Sequence, residues 1–126
     1  MFPAQAMEKR ALVRYRMKDA LFAAIQGENG YSLANVVDLN MNGVGLHLAG
    51  REKDLPEEVI MFDLLSEKKR IVLRSLLARV VYYRAANPHG NEGDDPPKRY
   101  GLQFVNLSAL EKRMLDLVAK KFGQPE

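Results

Sequence analysis

Arg10 and Arg14 are separated by three residues in the stretch KRALVRYR, with Lys9 and Arg16 beside them, so four cations fall within residues 9–16. A guanidinium group is planar, permanently charged and donates in a fork. It can pair with phosphate oxygens, pair with the O6/N7 edge of guanine, or stack on the face of a base. Lysine supplies charge without that flat, two-toothed geometry. On composition alone such a run reads first as a solvated basic arm ahead of the first strand. A second stretch, DLNMNG at residues 38–43, shifts that balance. Asp38 ends an apolar run, Asn40 and Asn42 are turn formers, and Gly43 permits positive φ or the close approach of another group.

These residues need a scaffold, and the pattern around them is mostly β. DALFAAI is followed by the turn-rich QGENG and then by YSLANVVDL. GVGLHLAG alternates apolar residues, as a half-buried strand does. EEVIMFDLL and RIVLRSLLARVVYYR flank the polar turn SEKK. RYGLQFVNL alternates again, with Tyr100, Leu102 and Phe104 on one side. MKDALFAAI taken alone also fits a helix. Residues 85–98, AANPHGNEGDDPPK, offer no apolar anchor and read as an exposed loop between two strands.

One helix closes the chain. Ser108 and Glu111 form the pattern of a capping box, and Leu110, Met114, Leu117, Val118 and Phe122 recur at helical spacing. Lys120 and Lys121 complement the helix dipole and Gly123 is a stop signal. About six strands with short turns and a late helix over residues 108–122 point to a closed or nearly closed antiparallel barrel, which also disposes of sheet edges.

Together the two motifs resemble the PilZ domain, the bacterial receptor module for cyclic di-GMP. That family carries RxxxR near its start and D/N-x-S-x-x-G some two dozen residues later. Here the first is Arg10-Ala11-Leu12-Val13-Arg14 and the second Asp38-Leu39-Asn40-Met41-Asn42-Gly43, with Asn40 where serine is usual. LLARVVYYR and RYGLQFVNLSALEKRMLDLV resemble the family's late strands and C-terminal helix, so the resemblance runs from Glu8 to the end. It implies a mainly β fold, a six-stranded antiparallel barrel with a C-terminal α-helix, in a single domain of residues 10–126 after a flexible arm of residues 1–9. It implies that Arg10 and Arg14 hold phosphates and guanine, that Asp38 accepts from guanine N1–H and N2–H₂, and that Asn40 and Gly43 complete the site. Lys9, Arg16 and Tyr82 are further candidates, Tyr82 as a stacking ring and Lys9 as a partner to a stacked pair of ligands. Losing the serine hydroxyl would cost on the order of 1 kcal/mol.

The function expected is a cyclic di-GMP receptor or adaptor that changes conformation on binding and signals through a protein partner, as a monomer or homodimer. One rival is a PilZ-fold adaptor without nucleotide binding. Another is a small nucleic-acid-binding barrel, which the 8% aromatic content and lack of tryptophan disfavour.

Composition bounds the rest. The 126 residues suffice for one core; 47% are hydrophobic, 28% charged, and the net charge is +3. With no cysteine there is no disulfide, thiolate metal site or thiol nucleophile. No apolar run approaches the ~20 residues of a membrane span, and the N-terminus does not read as a secretory signal. The expectation is a cytoplasmic protein that is not an enzyme and needs no cofactor or metal. His47 in an apolar strand, His89 in the loop, and the unpartnered Asp94 and Asp95 form no catalytic pattern, and Met41 and Phe62 read as core.

Overall fold

The computed structural model describes residues 13–28, 30–49, 55–56, 58–85 and 97–126. The arm of residues 1–9 with Lys9, the adjoining Arg10, and most of the 85–98 loop with His89, Asp94 and Asp95 lie outside them. In chain order the elements are β1 (Tyr15–Met17), β2 (Leu21–Gly27), β3 (Gly30–Leu39), β4 (Gly43–Leu48), β5 (Val59–Ser66), β6 (Ile71–Ala85), β7 (Lys98–Phe104), α1 (Ala109–Phe122) and β8 (Gly123–Pro125).

Six of these strands close on themselves. The order β2-β5-β6-β7-β4-β3 returns to its start through a β2–β3 pairing, every contact antiparallel. The expected barrel is thus present. The two short strands β1 and β8 were not foreseen. β3 is long enough to serve two neighbours: its first half pairs with β2, and its last residues pair with β1 at Tyr15↔Leu39 and Arg16↔Asp38. β8 then adds to the outer edge of β1.

The interior follows the two-residue alternation of half-buried strands. Leu21, Ala23 and Ile25 point inward from β2, Val44, Leu46 and Leu48 from β4, Ile60, Phe62 and Leu64 from β5, and Tyr100 and Leu102 from β7. Met41 is a correction: it is half-buried in the β3–β4 turn and belongs to no core cluster.

Helix α1 begins as its sequence requires. Ser108 Oγ accepts from the Glu111 N–H at 3.0 Å, and Glu111 Oε1 accepts from the Ser108 N–H at 2.9 Å. Its orientation differs from the sequence expectation. Leu115, Val118 and Ala119 are buried, whereas Leu110 and Leu117 are 66% and 56% exposed and Met114 also faces outward. Two apolar stripes overlap on this helix at Val118 and Phe122, and the barrel takes the one centred on Leu115. Gly123 ends the helix with an extended backbone (φ −124°, ψ −179°) and leads directly into β8. Among the described residues no helix is long and apolar enough to cross a membrane.

This ending holds the backbone of residues 14–19. The Phe122 carbonyl accepts from the N–H groups of Lys18 and Asp19 at 2.9 and 3.0 Å. The Glu126 N–H donates to the Arg14 carbonyl at 3.1 Å. The helix and β8 therefore anchor the backbone that carries Arg14 and Arg16.

Candidate functional site

Two bulges build the site. Along β3, Ala34 and Val36 point inward, and strict alternation would send Asp38 into the core as well. The register instead jumps: Val36 faces Leu46 and Asp38 faces Gly45, with Val37 as the extra residue. This bulge turns Asp38 to the outer face and leaves Leu39 fully buried. β6 repeats the device. Val80 faces Leu102 and Tyr82 faces Gly101, with Val81 inserted between. Tyr82 is thereby turned outward, while Tyr83 packs on Tyr100 with ring centroids 4.9 Å apart.

The result is a row of four residues across the outer face: Asp38, Gly45, Gly101 and Tyr82, successive partners on β3, β4, β7 and β6. The middle two have no side chains, and the outer two lean over them. A Cβ on Gly45 would lie 2.6 Å from Asp38 Oδ1, and one on Gly101 would collide with the Tyr82 ring. Above this glycine floor is a cavity of about 270 Å³, lined also by Arg14, Asn40, Asn42, Gly43 and Gln103.

Each motif residue has a traceable position. Asn40 Oδ1 accepts from the N–H groups of Asn42 at 2.7 Å and Gly43 at 3.0 Å, and the Asn40 N–H donates to the Gly43 carbonyl at 3.0 Å. The carboxamide oxygen is thus committed to closing the turn, which leaves the amide N–H₂ as the part of Asn40 available to a ligand. Gly43 answers to the sheet itself, since a Cβ there would collide with the Leu102 carbonyl. Asp38 is 8% exposed and its Oδ2 accepts from Arg99 Nη2 at 3.0 Å. A carboxylate has further lone pairs, and among the described residues Oδ1 receives no donor.

Of the residues expected at the site, Arg14, Asp38, Asn40, Gly43 and Tyr82 therefore border one cavity. Arg16 is the cross-strand partner of Asp38 but does not line it. Lys9 and Arg10 are outside the described residues. Sequence reasoning missed Gly45, Gly101, Gln103 and Arg99. The spacing Gly43-x-Gly45 and the Gly101 facing it were the available signal: glycine at successive outward positions of neighbouring strands leaves a bare patch of sheet.

His47, one outward step beyond Gly45, has its pKa lowered from 6.5, first by burial and then by the charges of Arg99 and Arg84; Asp38 opposes this more weakly. The site is thus electropositive at this end, as well as at Arg14.

The sequence matches no protein-family model and no curated protein. The structure is similar to the solved PilZ domain of YcgR from Escherichia coli, determined with c-di-GMP. The TM-score is 0.68 at 14% identity, over 90% of this chain and 91% of that one. With the closed six-stranded barrel, the pendant C-terminal helix and this extent of overlap, the chain has the PilZ-domain fold.

Proposed function

We propose that this chain is a receptor for cyclic di-GMP that works by binding and not by catalysis. One observation carries the reading: residues from two motifs distant in sequence, Arg14 on one side and Asp38, Asn40 and Gly43 on the other, border the same cavity, with the Tyr82 ring across from them. A guanine base set on the Gly45–Gly101 floor would meet an acceptor-only carboxylate at its N1–H and N2–H₂ edge. The same base would have an aromatic face beside it, with the Arg14 fork left for a phosphate or a second base face. Lys9 and Arg10 would add to that clamp. The dinucleotide then draws the arm of residues 1–9 toward the barrel and changes the surface offered to a protein partner, a shift driven by contacts made only in the bound arrangement.

Calorimetric titration with cyclic di-GMP tests this reading. The wild-type chain binds, and Arg14→Ala weakens binding at least tenfold, the scale of a lost charge-assisted hydrogen bond. Equal binding by the two proteins removes Arg14 from the site. A flat titration by folded wild-type protein overturns the receptor reading and leaves a protein-interaction adaptor.

A further inference from the structure

Beyond the glycine row, two residues further along each strand, lies a second row on the same outer face. His47 on β4 is the cross-strand partner of Arg99 on β7, and Arg99 is the partner of Arg84 on β6. Directly opposed residues of antiparallel strands project from the same face, and like charges so placed repel. Here two guanidinium groups stand abreast with an imidazole beside them. Among the described residues, Asp38 is the one carboxylate paired with this row, and it engages a single nitrogen, Arg99 Nη2. Arg99 Nε is buried and has no acceptor among the described residues. Arg84 is exposed and makes no ion pair among the described residues.

Such an arrangement is unfavourable unless an anion relieves it. We infer that the His47–Arg99–Arg84 row is a phosphate subsite, distinct from the Arg10–Arg14 motif, that takes a phosphate of the nucleotide whose base rests on the Gly45–Gly101 floor. The spacing fits. Successive outward rows of a sheet lie roughly 7 Å apart, about the reach from a purine across its ribose to the attached phosphate. Arg84 supplies the exposed fork, and Arg99 joins the subsite to the base-reading Asp38. His47, whose pKa is lowered first by burial, is lowered further by the charges of Arg99 and Arg84, which the anion would neutralise.

This inference rests on the cyclic di-GMP reading for the identity of its ligand, and the test separates the two. Cyclic di-GMP and guanosine are titrated into wild type, Arg84→Ala, and the charge-matched control Arg74→Ala, whose exposed arginine lies ten residues back along β6. The expected result is a tenfold or greater loss of cyclic di-GMP affinity in Arg84→Ala alone, with guanosine, which has no phosphate, bound equally by all three. If wild type binds cyclic di-GMP and Arg84→Ala binds it as well, the phosphate subsite is wrong and the receptor reading stands. If wild type does not bind cyclic di-GMP, the receptor reading fails and inorganic pyrophosphate decides the row. A shift of the His47 ring-proton resonances in wild type that Arg84→Ala lacks supports an anion site there, and no shift overturns it.

Discussion

Arg99 Nη2 reaches Asp38 Oδ2 at 3.0 Å from two strands away, passing over β4 where Gly45 presents no side chain. Both side chains are largely removed from water, at 19% and 12% exposure, so the pair is not an ordinary surface salt bridge. Truncating one partner leaves the other charge desolvated and unpaired. Arg99→Ala is therefore expected to cost about 2–4 kcal/mol. Adding Asp38→Asn to it should recover part of that loss. Urea denaturation of the two single variants and the double variant measures the coupling; strictly additive losses would mean the two side chains do not interact in solution.

The β3–β4 turn makes a sharper demand on Asn40. Its one side-chain oxygen satisfies two backbone N–H groups, those of Asn42 and Gly43. Asn40→Ala removes that acceptor, and with it both hydrogen bonds, and should cost about 1–2 kcal/mol. Asn40→Ser keeps an oxygen on a shorter arm and should fall between alanine and wild type. Amide exchange at Gly43 reports the local change and the urea midpoint the global one. An alanine variant as stable as the parent would mean that the turn closes without its side chain.

Much of this architecture was legible beforehand, for definite reasons. Strands alternating between core and solvent, the SEKK turn between β5 and β6, and the Ser108–Glu111 box are all local patterns, and each appears where the residues place it. The two bulges were not legible. Nothing in ANVVDL or RVVYYR marks Val37 or Val81 as the inserted residue, because a bulge is settled by register against the neighbouring strand. Yet those insertions are what turn Asp38 and Tyr82 outward. The short strands β1 and β8 escaped for a similar reason: three residues carry too little periodicity, and their pairing depends on where the helix ends. The Arg99 contact, between positions 61 apart in sequence, leaves no trace in either local segment.

The helix offers a clean check of orientation, since two apolar stripes compete on it. Leu115 is fully buried against the barrel and Leu117 is largely exposed. Leu115→Ala should destabilise by about 2–5 kcal/mol through the cavity it leaves, whereas Leu117→Ala should change stability by less than about 0.5 kcal/mol. Paired denaturation curves distinguish them, and a reversed order would place the helix on its other face.

His47 gives the fold a pH dependence whose sign follows from its surroundings. Burial first, then Arg99 and Arg84, lower its pKa below the ordinary 6.5, so the unfolded chain takes up this proton more readily than the folded one. In that window the unfolded state binds more protons, and stability rises with pH. The contribution is fully present above about pH 6.5 and is lost as the pH falls through the folded-state value. His47→Gln should flatten the fall in stability between pH 7 and 5, as read by urea midpoints at several pH values. An unchanged slope would assign the acid sensitivity to other groups.

Gly101 is where fold and site can be pulled apart. A methyl group there has no room while the Tyr82 ring keeps its place, but the obstacle is a ring 44% exposed at the edge of the sheet, free to swing outward. Gly43 differs, because its obstacle is the Leu102 carbonyl and any relief must distort the β4–β7 pairing. Gly101→Ala is accordingly expected to lose no more than about 1 kcal/mol of stability while displacing Tyr82 and filling the cavity floor. Its cyclic di-GMP affinity should fall about tenfold or more, since both the stacking face and the space for the base are lost. Tyr82→Ala, which removes the ring and keeps the bare floor, should lose only the stacking share. Titration calorimetry beside thermal denaturation reads both quantities on the same samples. If Gly101→Ala binds as wild type does, the base does not rest on the glycine floor.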